Sequence, residues 1–274
     1  MSEQQIAVLI DGGFFLKRIS RLLAESDRDS PEKIANALRR LCFNHIVRLK
    51  GLEKGLKGAN SSKLWQQHLY RIFFYDAMPF DGKAHHPISN KPIDFAKSKL
   101  AQERLALFEQ LRKVRKLALR LGKVNREHDW TLSPNRTKEI LKTRHALAPL
   151  QSITNHGQAF QLNLDADEAK QLLAISNFWQ SLGDDAVRLG LRQKGVDMRV
   201  AIDIASLALK QQVGTIVLVA GDSDFVPAAK LARREGLQFI LDPLWQSINA
   251  DLFEHIDGLQ SGIKQANHEN NVDE

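Results

Sequence analysis

Five short apolar runs, each closed by turn residues or followed by a helical pattern, constrain the fold of this chain more than any other feature. IAVLI (Ile6 to Ile10) stops at Asp11, Gly12 and Gly13, and LYRIFFYDA ends near Asp76 ahead of Pro79. VRLGLRQ from Val187, TIVLVAG from Thr215 and LQFILDPL from Leu237 follow. Runs of this length read as strands buried on both faces. Between them lie helical patterns. VDMRVAIDIASLALKQQ gathers Val200, Ala201, Ile204, Ala205 and Ala208 on one face, and FVPAAKLARREG carries Pro227 in its first turn and Gly236 as its stop. Strands alternating with helices predict a parallel α/β sheet covered on both sides.

The pattern loosens between about residues 84 and 186. A long amphipathic basic helix is expected from about Ser98 to Arg120, followed by a polar region with Pro134, Pro149 and Gly157, and the whole reads as a helical excursion from the sheet. The domain is expected over residues 1–260, with a disordered tail at 261–274. From Lys97 to Arg144 there are 14 Lys and Arg against 5 Asp and Glu, so this segment exceeds the net charge of +7 and leaves the rest slightly acidic. A basic segment on an acidic body fits a polyanion partner such as RNA, single-stranded or structured, or else a solvated helix face. No run approaches a membrane span, and the first 30 residues lack a cleavable signal, so a cytoplasmic protein without a membrane partner is expected. The single cysteine, Cys42, leaves no internal disulfide and no CxxC zinc pair. The oligomeric state is not legible.

The acids fall where parallel sheets bind ligands, beyond the carboxyl ends of the strands. Asp11, Asp76, Asp222 and Asp224 all stand there, and Asp11 and Asp222 come close if their strands are neighbours. Asp203 lies at the edge of the apolar face of its helix, half-buried, and Asp197 at that helix's start. Crowded carboxylates repel and raise one another's pKa, so a positive charge is required, and an oxygen-only donor set suits Mg²⁺ or Mn²⁺. A metal so held supports phosphodiester hydrolysis. The structural alternatives are ordinary: Asp224 and Asp197 as helix N-caps, and Asp11 as a strand breaker. A dinucleotide site lacks its GxGxxG, and a haloacid-dehalogenase type phosphatase lacks its second acids, since Gly13 and Val226 occupy those positions.

AVLIDGGFF, QKGVDMRVAIDIASLAL and VLVAGDSDFVPAAKLARREG, in this order, resemble the NYN domain, a branch of the PIN-like ribonucleases, in its bacterial LabA-like form. The resemblance implies a PIN-like three-layer α/β/α sandwich and a Mg²⁺- or Mn²⁺-dependent endoribonuclease. On this likeness Asp11, Asp203, Asp222 and Asp224 match the metal-holding acids, and Asp197 matches the Asp of KGVD. Many family members carry Asn three residues after the first Asp, where this chain has Phe14. Lys194, before Gly195, is the candidate for a substrate phosphate, and Arg112, Lys113, Arg115 and Lys116 are the candidates for steering RNA. The alternatives are an RNA-binding or adaptor module with weak or no cleavage, favoured by Phe14, and a small-molecule phosphatase, which would have no use for the basic helix.

Overall fold

A computed structural model of the chain describes residues 4–52, 61–145, 147 and 163–265. The region 148–162 of the expected excursion and residues 266–274 of the expected tail lie outside the described residues. The fold is α/β around a mostly parallel sheet of seven strands. The chain divides into two compact units, one of residues 1–81, 96–124 and 193–274, the other of 82–95 and 125–192.

The first unit holds the center of the sheet. Strands β1 (Ile6–Asp11), β2 (Leu69–Met78), β5 (Leu117–Leu132), β7 (Thr215–Val219), β8 (Gln238–Asp242) and β9 (Gly258–Leu259) pair in parallel, and β6 (Val187–Lys194) adjoins β5. The order is β6-β5-β2-β1-β7-β8-β9, with β5 and β6 running through both units. In β1, Ile6, Val8 and Ile10 pack on one face and Ala7 and Leu9 on the other, as the two-residue period of a strand requires. The first face is covered by α1 (Gly12–Leu22), α2 (Pro31–Leu49) and α4 (Lys99–Arg112) through Phe15, Leu38, Leu41 and Phe108. The second is covered by α7 (Val196–Leu209) and α8 (Val226–Arg234) through Val200, Ile204, Ala229 and Ala232. The expected three layers are therefore present in this unit, with every apolar run of the sequence placed as a strand.

The basic helix is shorter than expected. It ends at Arg112, Lys116 turns the chain at φ 61°, and Leu117 begins β5. The cause is a change of period: Leu117, Leu119 and Leu121 alternate onto the first core while Ala118 and Val124 meet the second. The second unit contains the hairpin of β3 (Lys83–His85) and β4 (Pro92–Asp94), α5 (Pro134–Lys142) and α6 (Ala166–Gln180), the last opened by a capping box of Asp165 and Glu168. Among the described residues, no helix is long and apolar enough to cross a membrane.

Candidate active site

The site is assembled at the carboxyl ends of β1, β2 and β7. Asp11 ends β1 and caps α1, its Oδ1 accepting from the Phe14 amide at 3.0 Å. An Asp can do this because N-cap geometry keeps the backbone extended while the side chain takes an orphan amide. The next residue is held tight, since a Cβ on Gly12 would meet the Phe74 ring and the Tyr75 carbonyl at 2.7 Å. Ile10 pairs with Val219, so Asp11 and the GDSD turn after β7 are neighbours, as expected. In that turn Asp222 accepts from the Asp224 amide at 3.0 Å and caps the short helical turn Ser223–Phe225. Asp224 is not the cap of the helix Val226–Arg234, whose N-cap is Phe225 without a side-chain hydrogen bond. Asp197 is likewise no cap: Gly195, at φ 77°, opens α7, and Asp197 sits in its first turn. Only a glycine takes that left-handed entry without strain.

The electrostatics join these acids. Burial raises the Asp11 carboxyl above its ordinary 3.8; the Phe14 and Gly13 amides oppose this, and the charges of Asp197 and Asp76 add to it. Asp197 is exposed as a residue, but its carboxyl is raised first by partial shielding and then by Asp222 and Asp224. Asp76, Asp11, Asp197, Asp222 and Asp224 therefore form one chain of interacting negative charge. Among the described residues no Lys, Arg or His pairs with Asp11, Asp197, Asp222 or Asp224. Asp76 is different. It is 5% exposed, accepts from Arg104 Nη1 at 2.7 Å and from the Ala77 amide at 2.8 Å, and is still raised because burial outweighs the arginine.

Asp203 is half-buried as expected, but its carboxylate is already engaged. Tyr75 donates its hydroxyl to it at 2.9 Å and Arg120 its Nε at 3.0 Å. Burial, then the Asp203 charge, keep the Tyr75 phenol protonated. Asp11, Tyr75 and Arg120 share one level of the sheet on β1, β2 and β5, so Asp203 is displaced from Asp11 toward β5. Phe14 lies on the other side of the site: a Cβ on Gly221 would meet its ring at 2.6 Å, so Gly221 and Phe14 need each other's shape.

The cations expected to hold RNA do not join the acids. Leu117 pairs with Ile72, three residues before Tyr75, so Arg112, Lys113, Arg115 and Lys116 enter at the amino end of the sheet, about 10 Å or more along the strands from Asp11. Arg112 pairs with Glu109 and Lys113 with Gln110. Lys116 donates to the carbonyls of Gln66 and Leu69, and burial followed by Arg115 and Arg71 lowers its pKa. It closes the end of α3 (Ser61–His68) and is a structural lysine. Lys194 is exposed at the end of β6, on the acid side of the sheet. Asp76, Arg104, Tyr75 and Arg120 complete the site. Of these only Asp76 carried a signal in sequence, its place at a strand end.

The sequence profile of the NYN domain family matches residues 135–254. That span takes in KGVD, α7, β7, the GDSD turn, α8 and β8 and leaves outside it β1 with Asp11, the AVLIDGGFF part of the resemblance. It supports the NYN resemblance, and the mostly parallel sheet agrees with a PIN-like fold. No curated protein and no solved structure matches the chain.

Among the described residues, a three-residue group with all donor atoms within 4.8 Å occurs at Asp251, Glu254 and His255, on the surface, and it includes none of these acids. The predicted acids form no such tight group. They fit a hydrated ion nonetheless: the donors are hard oxygens, they carry uncompensated charge, and Mg²⁺ uses one or two carboxylates while keeping several waters.

Proposed function

We propose that this NYN-type chain, of the bacterial LabA-like branch, is a Mg²⁺- or Mn²⁺-dependent endoribonuclease acting in the cytoplasm. The observation that carries the reading is the row of Asp11, Asp222 and Asp224 at the carboxyl ends of β1 and β7 with Asp197 in the first turn of α7, interacting as like charges and unpaired with any cation among the described residues. Asp11, Asp222 and Asp224 would hold the ion, with Asp197 reaching it through water. When bound, it neutralises the phosphodiester and makes a water more acidic. Asp11, whose carboxyl burial holds above its ordinary 3.8, would be the residue placed to take a proton from an attacking water. Asp203 acts differently from its first assignment. Locked by Tyr75 and Arg120, it fixes the guanidinium of Arg120 over the Phe73 ring, 5.3 Å from its centroid, at the level of Asp11, where a phosphate would meet it. Substrate RNA is then positioned by Arg120 and Lys194, and the Arg112 to Lys116 segment has no part in it.

Phe14 favours a second reading, an RNA-binding module without turnover, because its ring fills the space at Gly221 where a polar group would order water. The two separate in one assay. Purified protein with Mn²⁺ should cleave single-stranded RNA, lose this with EDTA, and lose it in Asp11→Asn and Asp222→Asn; binding without Mn²⁺-dependent cleavage selects the second reading.

A further inference from the structure

A cavity of about 810 Å³ opens in the first unit beside the GDSD turn, lined by Pro243, Trp245, Gln246, Gln260, Ile263 and Lys264 among others. Its wall is a turn that this sequence adopts against preference. Gln246 donates its amide to the Pro243 carbonyl at 2.9 Å, and the two central residues, Leu244 and Trp245, have φ of 46° and 63°. Such I′ geometry belongs to Gly, Asn and Asp, and a Leu-Trp pair persists there only when its surroundings impose it. They do. Leu244 is fully buried in the first core, its amide donates to Asp242 at 2.8 Å, and its carbonyl accepts twice from Arg18 of α1.

The product of this constraint is an exposed tryptophan with a fixed pose. Trp245 is 50% exposed, and its Nε1 donates to the Ile263 carbonyl at 2.7 Å, which anchors the ring while leaving it open. Two further observations point to a ligand. Gln260 lines the same cavity, and its Nε2 is shielded from solvent with no hydrogen-bond partner among the described residues. Gln246 reaches from the cavity to the catalytic turn, since a Cβ on Gly221 would meet its Nε2 at 2.9 Å. Lys264 stands exposed at the rim. An open aromatic face, an unpaired amide donor and a rim cation match a base, its hydrogen-bonding edge and a phosphate.

We propose that this cavity is a nucleobase pocket that takes one unstacked base of single-stranded RNA close to the scissile phosphate, the base stacking on Trp245 with Gln260 and Gln246 on its edge. The proposal rests on the ribonuclease reading and gives it a substrate class, single strands with an extruded base. The test is anisotropy of labelled RNA hexamers, each of one base, with the full chain in EDTA, against Trp245→Ala, Trp245→Leu and Trp245→Phe. Loss of stacking should weaken binding about 5- to 150-fold in the Ala and Leu variants, with Phe keeping most of it and the salt slope unchanged. Gln260→Ala should narrow the affinity differences between hexamers. Thermal melts separate a folding defect, and Leu against Phe, similar in bulk, isolates the aromatic face. If Ala and Leu bind RNA like wild type while Mn²⁺ cleavage persists and requires Asp11, the pocket is refuted and the ribonuclease reading stands. If wild type neither binds nor cuts RNA, both fall. If nucleoside 5′-monophosphates compete as well as hexamers, the pocket is a free-nucleotide site and the RNA assignment is overturned.

Discussion

Arg104→Met probes the balance of charge beneath the acid row. The substitution keeps the length of the side chain and removes the guanidinium that pairs with Asp76 at 2.7 Å. Breaking a buried pair from one side costs about 3 to 5 kcal/mol because the remaining charge is stranded. The Arg104 side chain is 23% exposed, so water recovers part of this and the low end, about 3 kcal/mol, is expected at pH 7.5. For a domain of this size that is a fall of roughly 6 to 12 °C in melting temperature. The pH dependence identifies the cause. Asp76 already has a folded pKa above its unfolded 3.8, and losing Arg104 raises it further. A raised folded pKa stabilises the protonated fold at low pH, and this contribution is lost as pH rises through the folded value. The cost of Arg104→Met should therefore be full at pH 7.5 and shrink as pH falls through the folded pKa of Asp76. Adding Asp76→Asn should restore most of it at pH 7.5. Thermal melts of the wild type, both single variants and the double variant at pH 5 and 7.5 give the answer. An equal cost at both pH values, or a double variant no better than Arg104→Met, would show that packing and not the stranded charge is at stake.

Asp76→Asn should also lower the Asp11 pKa by removing one of its repelling charges, moving the acid limb of the cleavage profile to lower pH; an unmoved limb separates the two acids. With EDTA at neutral pH, Asp222→Asn should melt at or above wild type, because Asn keeps the cap and removes a charge that presses on Asp197, while Mn²⁺ should raise the midpoint of wild type and not of the variant. A destabilised variant with no Mn²⁺ shift in either protein would make GDSD a structural turn. Lys116→Met should cost about 1 to 3 kcal/mol in urea melts by leaving the Gln66 and Leu69 carbonyls short of a donor, with no change in the salt slope of RNA binding; a lower slope would return that segment to the RNA surface.

What sequence alone determined is what neighbours along the chain decide. Apolar runs at two-residue and 3.6-residue periods, the glycines of the turns and the strand-end position of the acids are written within ten or so residues, and they placed β1, β2, β6, β7, β8, α7 and α8. The missed strand shows the limit, because the Lys and Arg of Arg112 to Arg120 carried a helix reading over LALRL until Leu117, Leu119 and Leu121 found a core to alternate against. Roles at the site needed tertiary structure for the same reason. Asp222 caps the short turn before α8 while Asp224 caps nothing, Asp203 of α7 was claimed by Tyr75 and Arg120 from two strands, and Lys116 by carbonyls about 50 residues away. A carboxylate's pKa and a lysine's partner are set by distances of a few ångströms, and strand order, which brings β1 beside both β2 and β7, is what sets those distances.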